Sequence, residues 1–182
     1  MNSAIAMIEY QTVSAGMFAA DMVAKTAEVE IIEAQTVCPG KYIMLFSGEI
    51  SAVRACVDAA KKNAGEKLID SFVLGNPHES VIPAIYGAGE VKNAKALGVL
   101  ETYSAASIIV AADTAAKTSM VDLIELRIAR GMCGKSYMLL TGEIAAVSAA
   151  IDAAKQKMAG EGMYLDSNVI ANPDDKLWQA IL

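Results

Sequence analysis

Three cysteines and a single histidine are the side chains of this sequence best suited to bind a soft metal or to carry redox chemistry. Cys38 stands in the turn Val37-Cys38-Pro39-Gly40-Lys41, and Cys133 stands in a second glycine-containing turn, Gly131-Met132-Cys133-Gly134-Lys135. Cys56 lies with Val53, Val57 and Ala60 on the apolar face of a helical stretch and reads as a buried packing residue. An odd number of cysteines at unrelated spacings argues against a disulfide framework, so all three are expected as thiols or thiolates. His78 follows Asn76-Pro77 with no clustered ligands beside it and reads as a structural or solvated loop residue. A thiol-redox enzyme built on Cys38 needs a depressed thiol pKa and is helped by a resolving cysteine, and its loop contains none. We find no Ser/His/Asp arrangement, no phosphate-cradling glycine motif and no paired carboxylates with reason to converge, so the chain is not expected to be an enzyme.

The bulk composition narrows the partners. The 182 residues carry 15 Lys plus Arg against 21 Asp plus Glu, a net charge of -6, with no basic stripe of the kind a phosphate backbone requires, so nucleic acid is excluded as a partner. The apolar runs, Tyr42 to Phe46 and Ser107 to Ala112 among them, are far shorter than the roughly 20 residues that span a bilayer, and no membrane association is expected. The opening Met-Asn-Ser-Ala-Ile-Ala-Met-Ile-Glu has no basic region ahead of its apolar stretch and reads as a first strand in a cytosolic chain. An aliphatic composition with 5% aromatic residues leaves more small apolar surface than halves of about 90 residues hide, which points to obligate assembly.

The elements that position the two turns repeat within the chain. Ala4-Ile-Ala-Met-Ile-Glu9 returns 92 residues later as Ala96-Leu-Gly-Val-Leu-Glu101, and Ala19-Ala-Asp-Met-Val-Ala-Lys-Thr26 as Ala111-Ala-Asp-Thr-Ala-Ala-Lys-Thr118. After a two-residue insertion, Ser47-Gly-Glu-Ile50 and Val57-Asp-Ala-Ala-Lys61 match Thr141-Gly-Glu-Ile144 and Ile151-Asp-Ala-Ala-Lys155, and at an offset two residues longer again Asn76-Pro77 matches Asn172-Pro173. Each half reads strand, helix, strand, turn, strand, helix, strand and a short terminal helix, an α/β (α+β) unit of ferredoxin-like size with an antiparallel sheet flanked by helices. Met17, Ala20, Asp21 and Ala24 supply helical spacing in the first of these helices. Ser47 and Thr141 are placed as N-caps of the second helix in each half, with Glu49 and Glu143 in its first turn. The expected organisation is a domain over 1–88, a Gly- and charge-rich linker over 89–95 and a second domain over 96–182, with Trp178 anchoring the terminal helix.

Taken together, the opening strand, the Ala-Ala-Asp-x-x-x-Lys helix, the glycine loop before an apolar strand and the Ser/Thr-Gly-Glu-Ile helix start resemble the shell domain of bacterial microcompartments, the BMC domain, present twice. The strand-first order resembles the unpermuted tandem class, and within it the iron–sulfur type. The resemblance implies a structural shell protein in the cytoplasm: a homotrimer forming a pseudohexameric tile, with other BMC shell proteins at its edges and redox enzymes in the lumen. Two similar domains around a threefold axis make six similar wedges and close every interface. It also implies that the pore is lined by Val37, Cys38, Pro39 and Gly40 from the first half and Met132, Cys133 and Gly134 from the second. Cys38 then matches the ligand position of a 4Fe-4S cluster, one per trimer shared by three Cys38 thiolates, for electron transfer or cluster exchange across the shell. The alternatives stay open: a metal-free pore conducting small metabolites or cofactors, with Cys38 a plain lining thiol. Cys133 is a small loop residue or an assisting ligand. Lys41 and Lys135 either bring positive charge to the pore or extend over one face of the tile. Lys25 and Lys117 match the lysine through which tiles meet or are ordinary solvated residues, with Asp21 and Asp113 one turn before them.

Overall fold

A computed structural model describes residues 4–91 and 94–182, so Lys92 and Asn93 of the expected linker lie outside the described residues. The element order is the repeated one: β1 (Ala4–Tyr10), α1 (Val13–Thr26), β2 (Glu30–Val37), β3 (Lys41–Gly48), α2 (Ile50–Ala64), β4 (Leu68–Leu74) and α3 (Val81–Ile85). Then follow β5 (Ala96–Thr102), α4 (Ala105–Thr118), β6 (Val121–Arg127), β7 (Ser136–Gly142), α5 (Ile144–Gly160), β8 (Tyr164–Ile170) and α6 (Asp175–Ile181). The strands form two four-stranded sheets of equivalent order, β2-β3-β1-β4 and β6-β7-β5-β8. β1 pairs antiparallel with β3 and β4, and β2 with β3.

Chain segments group into two compact units. The first comprises 4–77 with 104–110 and 128–136; the second comprises His78–Tyr103, Ala111–Arg127 and Tyr137–Leu182. In the first unit the even residues of β1, Ala4, Ala6, Ile8 and Tyr10, share a core with Ala19 and Val23 of α1 and Val53, Cys56, Val57 and Ala60 of α2. Ile5, Met7 and Glu9 point to the other side of the sheet and are also buried, which is why β1 reads as a continuous run without alternation. In the second unit Ala111, Ala112 and Ala115 of α4 and Val147, Ala150, Ile151 and Ala154 of α5 are buried with Leu97 and Leu100 of β5.

α1 forms as its spacing predicts and buries Gly16, Ala19 and Val23, with Met17, Asp21 and Ala24 facing outward. One local reading needs correction. Ser47 and Thr141 are not helix caps: β3 and β7 run on through them to Gly48 and Gly142, and the N-caps are Glu49 and Glu143, neither making a side-chain cap bond. The Thr141 hydroxyl is used in the sheet instead, donating to the Ala96 carbonyl at 2.8 Å and accepting from the Lys95 amide at 3.1 Å. α6 buries no residue, and Trp178 is half-buried on it.

Candidate functional site

The turn that carries Cys38 is a tight connection between β2 and β3. Val37 and Lys41 pair across it, and the Gly40 amide closes it on the Val37 carbonyl at 2.9 Å, with Gly40 at φ 102°, a conformation open to glycine. Between β6 and β7 the register pairs Arg127 with Tyr137, whereas the equivalent first-half pair is Gln35 and Ile43, so the two-residue insertion falls in this second loop. Its conformation is correspondingly irregular: Ala129, Gly131, Cys133 and Gly134 all have positive φ.

The segment 128–136 belongs to the first unit, so the two loops meet there. The Cys38 amide donates to the Ala129 carbonyl at 3.1 Å, and the Ala129 amide donates to the Ser136 hydroxyl at 3.0 Å. Arg130 reaches the Glu33 carboxylate. The Lys41 ammonium donates to the Gly134 carbonyl at 3.1 Å, and a Cβ added at Gly134 would lie 2.9 Å from Lys41 Cε and 3.1 Å from Pro39 Cδ. Glycine is therefore required at 134 by both close approach and backbone conformation.

Behind the loops lies a polar network that the sequence did not single out. The wholly buried Glu9 carboxylate takes the Lys41 ammonium on Oε1 at 2.8 Å and the Ala105 and Ala106 amides of the α4 first turn on Oε2 at 2.8 and 3.3 Å. Beside it, Asp70 accepts the hydroxyls of Ser104 and Ser107, and Ser104 caps the helix by accepting the Ser107 amide at 3.0 Å. Burial pushes the Glu9 carboxyl above its ordinary value of 4.5, while Lys41 and the two amides pull in the opposite direction. One clue was present: Glu9 is the lone charge in a strand otherwise apolar, followed in the second half by Ser104 three residues before Ser107.

The expected site residues take unequal places. Cys38 is half-buried and Cys133 exposed, while Cys56 is buried with its thiol against the Val23 carbonyl, and burial raises its pKa. Val37 and Gly134 are buried, Met132 is half-buried, and Pro39 and Gly40 sit exposed at the turn. Lys41 is only 14% exposed and its charge is compensated by Glu9, so it is not the equivalent of Lys135, which is exposed. Lys25 pairs with Asp21 at 2.6 Å in solvent, whereas Lys117 pairs at 2.7 Å with a nearly buried Asp113. Asp113 also accepts the His78 amide at 2.7 Å, and the His78 ring bonds the Ser80 hydroxyl, a structural use of that histidine. Among the described residues no three His, Cys, Asp or Glu side chains of one chain converge as a metal site, and no helix is long and apolar enough to cross a membrane.

Comparison with known proteins agrees with this architecture. The BMC domain model matches residues 4–77 and again 96–173. The bacterial microcompartment shell protein PduT of Citrobacter freundii is 36% identical over 182 residues, covering 100% of this chain and 99% of that protein. A carboxysome shell protein, CsoS1 of Prochlorococcus marinus, is 35% identical over 88 residues, 47% of this chain and 85% of its own. Among solved structures, a microcompartment protein from Desulfitobacterium hafniense DCB superposes with a TM-score of 0.85 at 44% identity, covering 98% of this chain and 99% of that one. The fused permuted hexameric shell protein of the RMM microcompartment superposes at 0.67 and 26% identity, covering 86% of this chain and 84% of that one. Two complete copies of one family domain, matched end to end by a full-length relative, place the chain: it belongs to the shell proteins of bacterial microcompartments, as a member with two BMC domains in tandem.

Proposed function

We propose that three copies of this chain close into a pseudohexameric shell tile, and that the two loops carrying Cys38 and Cys133 line its pore. In this reading the pore holds one 4Fe-4S cluster through the Cys38 thiolates of three copies. The observation that carries it is the state of Cys38: a free thiol, accessible at the tip of a turn and fixed through its amide to Ala129. One chain offers a single such ligand at that turn, so the set is completed only by symmetry about an axis, with one iron left to an outside ligand. Soft thiolate and the absence of any carboxylate in residues 37–41 suit iron and sulfide better than a hard cation. Such a cluster, when bound, accepts and returns single electrons. The chain's own contribution is to hold Cys38 in place, to keep Lys41 neutralised behind the turn, and to present the exposed Lys135 as positive charge for an anionic group. The role is structural and conductive, within a shell built with other BMC proteins and facing redox enzymes in the lumen, with Lys25 and Lys117 at the tile edge.

The test is iron and sulfide content after preparation without oxygen. About four irons per three chains are expected, lost in Cys38→Ser, retained in Cys56→Ala and mostly retained in Cys133→Ser. Equal loss in the Cys133 variant assigns ligation to both loops. A wild-type protein without iron favours an open conduit for small metabolites or cofactors.

A further inference from the structure

Cys133 has no part in the function proposed above, yet the fold brings it to Cys38. Both cysteines take the same place in a hydrogen-bonded four-residue turn. The Gly40 amide closes Val37-Cys38-Pro39-Gly40 on the Val37 carbonyl at 2.9 Å, and the Lys135 amide closes Met132-Cys133-Gly134-Lys135 on the Met132 carbonyl at 3.1 Å. Each cysteine is the first of the two central residues of its turn.

The two turns lie against each other within one compact unit. Near the start of the second loop, the Ala129 carbonyl accepts the Cys38 amide at 3.1 Å and Arg130 reaches Glu33. Towards its end, the Gly134 carbonyl accepts the Lys41 ammonium at 3.1 Å, and a Cβ at Gly134 would lie 3.1 Å from Pro39 Cδ. The second loop is therefore held on the first turn at both ends, and the residues that meet there, Pro39 and Gly134, are the chain neighbours of Cys38 and Cys133. Successive Cα atoms are about 3.8 Å apart, and a disulfide joins Cα atoms about 4.4 to 6.8 Å apart. Cysteines one residue removed from that contact on each side need only a small loop adjustment to bond.

The backbone at Cys133 is unusual for its residue type. Its φ is 50°, between Gly131 at 71° and Gly134 at 87°. That left-handed conformation suits glycine or asparagine, and a residue with a larger side chain holds it at a cost. Packing does not explain a cysteine there, because Cys133 is exposed. Cys56 belongs instead to the core, with its thiol against the Val23 carbonyl.

We propose that Cys38 and Cys133 form a reversible intrachain disulfide, with a low-molecular-weight disulfide of the glutathione type as oxidant. The exposed Cys133 sulfur attacks one sulfur of the small disulfide, breaks its S–S bond and expels one small thiol. The Cys38 sulfur then attacks the Cys133 sulfur of that mixed disulfide and expels the second small thiol. The chain loses two electrons and two protons, which convert one small disulfide into two thiols. The new bond ties the two loops together and withdraws Cys38 from metal, so that a cluster loads only onto the reduced chain. The bond stands independently of the cluster, whereas the gating of loading rests on the cluster reading above.

Iron-free full-length protein, equilibrated without oxygen in mixtures of reduced and oxidised glutathione, tests both. Oxidising mixtures should give a folded chain lighter by two hydrogens, with Cys38 joined to Cys133 in peptide mass mapping and Cys56 still a free thiol; excess thiol should reverse the change. Cys56→Ala should behave as the wild type does, whereas Cys38→Ser and Cys133→Ser should each carry a single glutathione. A folded wild type that carries glutathione on both Cys38 and Cys133, or that bonds either of them to another copy, would overturn the pair. The reduced and linked forms are then offered ferrous iron and sulfide. The reduced form should load, and the linked form should take up essentially no iron until thiol is added. Equal loading of the two forms would overturn the gating. A reduced form that takes up no iron, while the disulfide still forms, would instead overturn the cluster reading of the pore and leave the bond in place.

Discussion

The Glu9–Lys41 pair makes the sharpest energetic prediction. Glu9 has no exposure and Lys41 little, and Glu9 also takes two α4 amides, so the pair joins the Cys38 turn to the start of that helix. Lys41→Met removes the counter-charge and leaves a buried carboxylate held by two amides, and breaking a buried pair in this way costs about 3–5 kcal/mol at pH 7. Glu9→Gln leaves the ammonium with the Gly134 carbonyl alone and costs about 1–3 kcal/mol. The double variant removes both charges and should cost less than the sum, with a coupling of about 0.5–3 kcal/mol. Burial already raises the Glu9 pKa above 4.5, so the folded chain holds that proton more tightly than the unfolded chain, and Glu9's own contribution is most favourable below 4.5 and declines as pH rises through the folded value. Without Lys41 the folded value rises further, so the Lys41→Met cost should be full at neutral pH and shrink as the pH falls toward 4.5. Urea denaturation at fixed protein concentration, repeated between pH 7 and pH 5, measures both quantities. Strict additivity of the two variants, or a Lys41→Met cost that does not change with pH, would refute the account of this network.

Gly134→Ala should cost about 1–3 kcal/mol, since its methyl meets Lys41 and Pro39 at a positive φ, and melting temperature reports it. Lys117→Ala should destabilise the chain more than Lys25→Ala, because Asp113 is nearly buried while Asp21 and Lys25 are both in solvent. The pair of lysine variants together should impair sheet formation and leave the tile's own mass unchanged. Tyr137, pushed up to about 12 by burial and by donating to the Glu125 carboxylate at 2.8 Å, should give a late ionisation step in an ultraviolet titration, and Tyr137→Phe should remove it. Alkylation of the folded, iron-free chain should modify Cys133 first and leave Cys56 untouched until denaturant is added, as peptide mass mapping will show.

Strand and helix order were readable because period and repeat reinforce one another over both halves, and Cys56 was readable because Val53, Val57 and Ala60 flank it at helical spacing. The α2 and α5 starts were misread because Ser47 and Thr141 suit a cap by type, while strand pairing runs past both. The helix α1 was readable from its spacing, but not the face it buries, because Gly16 packs within reach of Tyr42, a contact no local spacing announces. Glu9 and the compensation of Lys41 were hidden for a related reason: their partners lie 32 to 97 residues away, and an isolated acid in an apolar strand does not reveal which helix it will cap. The non-equivalence of the two loops was half visible, since the insertion shows in the sequence and its position in the β6–β7 loop shows only in the register.

The central claim is that this chain works as a ring of three. Native mass measurement of the intact wild-type protein, at low micromolar concentration and without added partners, tests it most directly. A single species of three times the chain mass, persisting on dilution and present with or without bound iron, is the result expected from the duplicated domain. A monodisperse single chain across that range, or a dimer, contradicts the tile and the shared pore together.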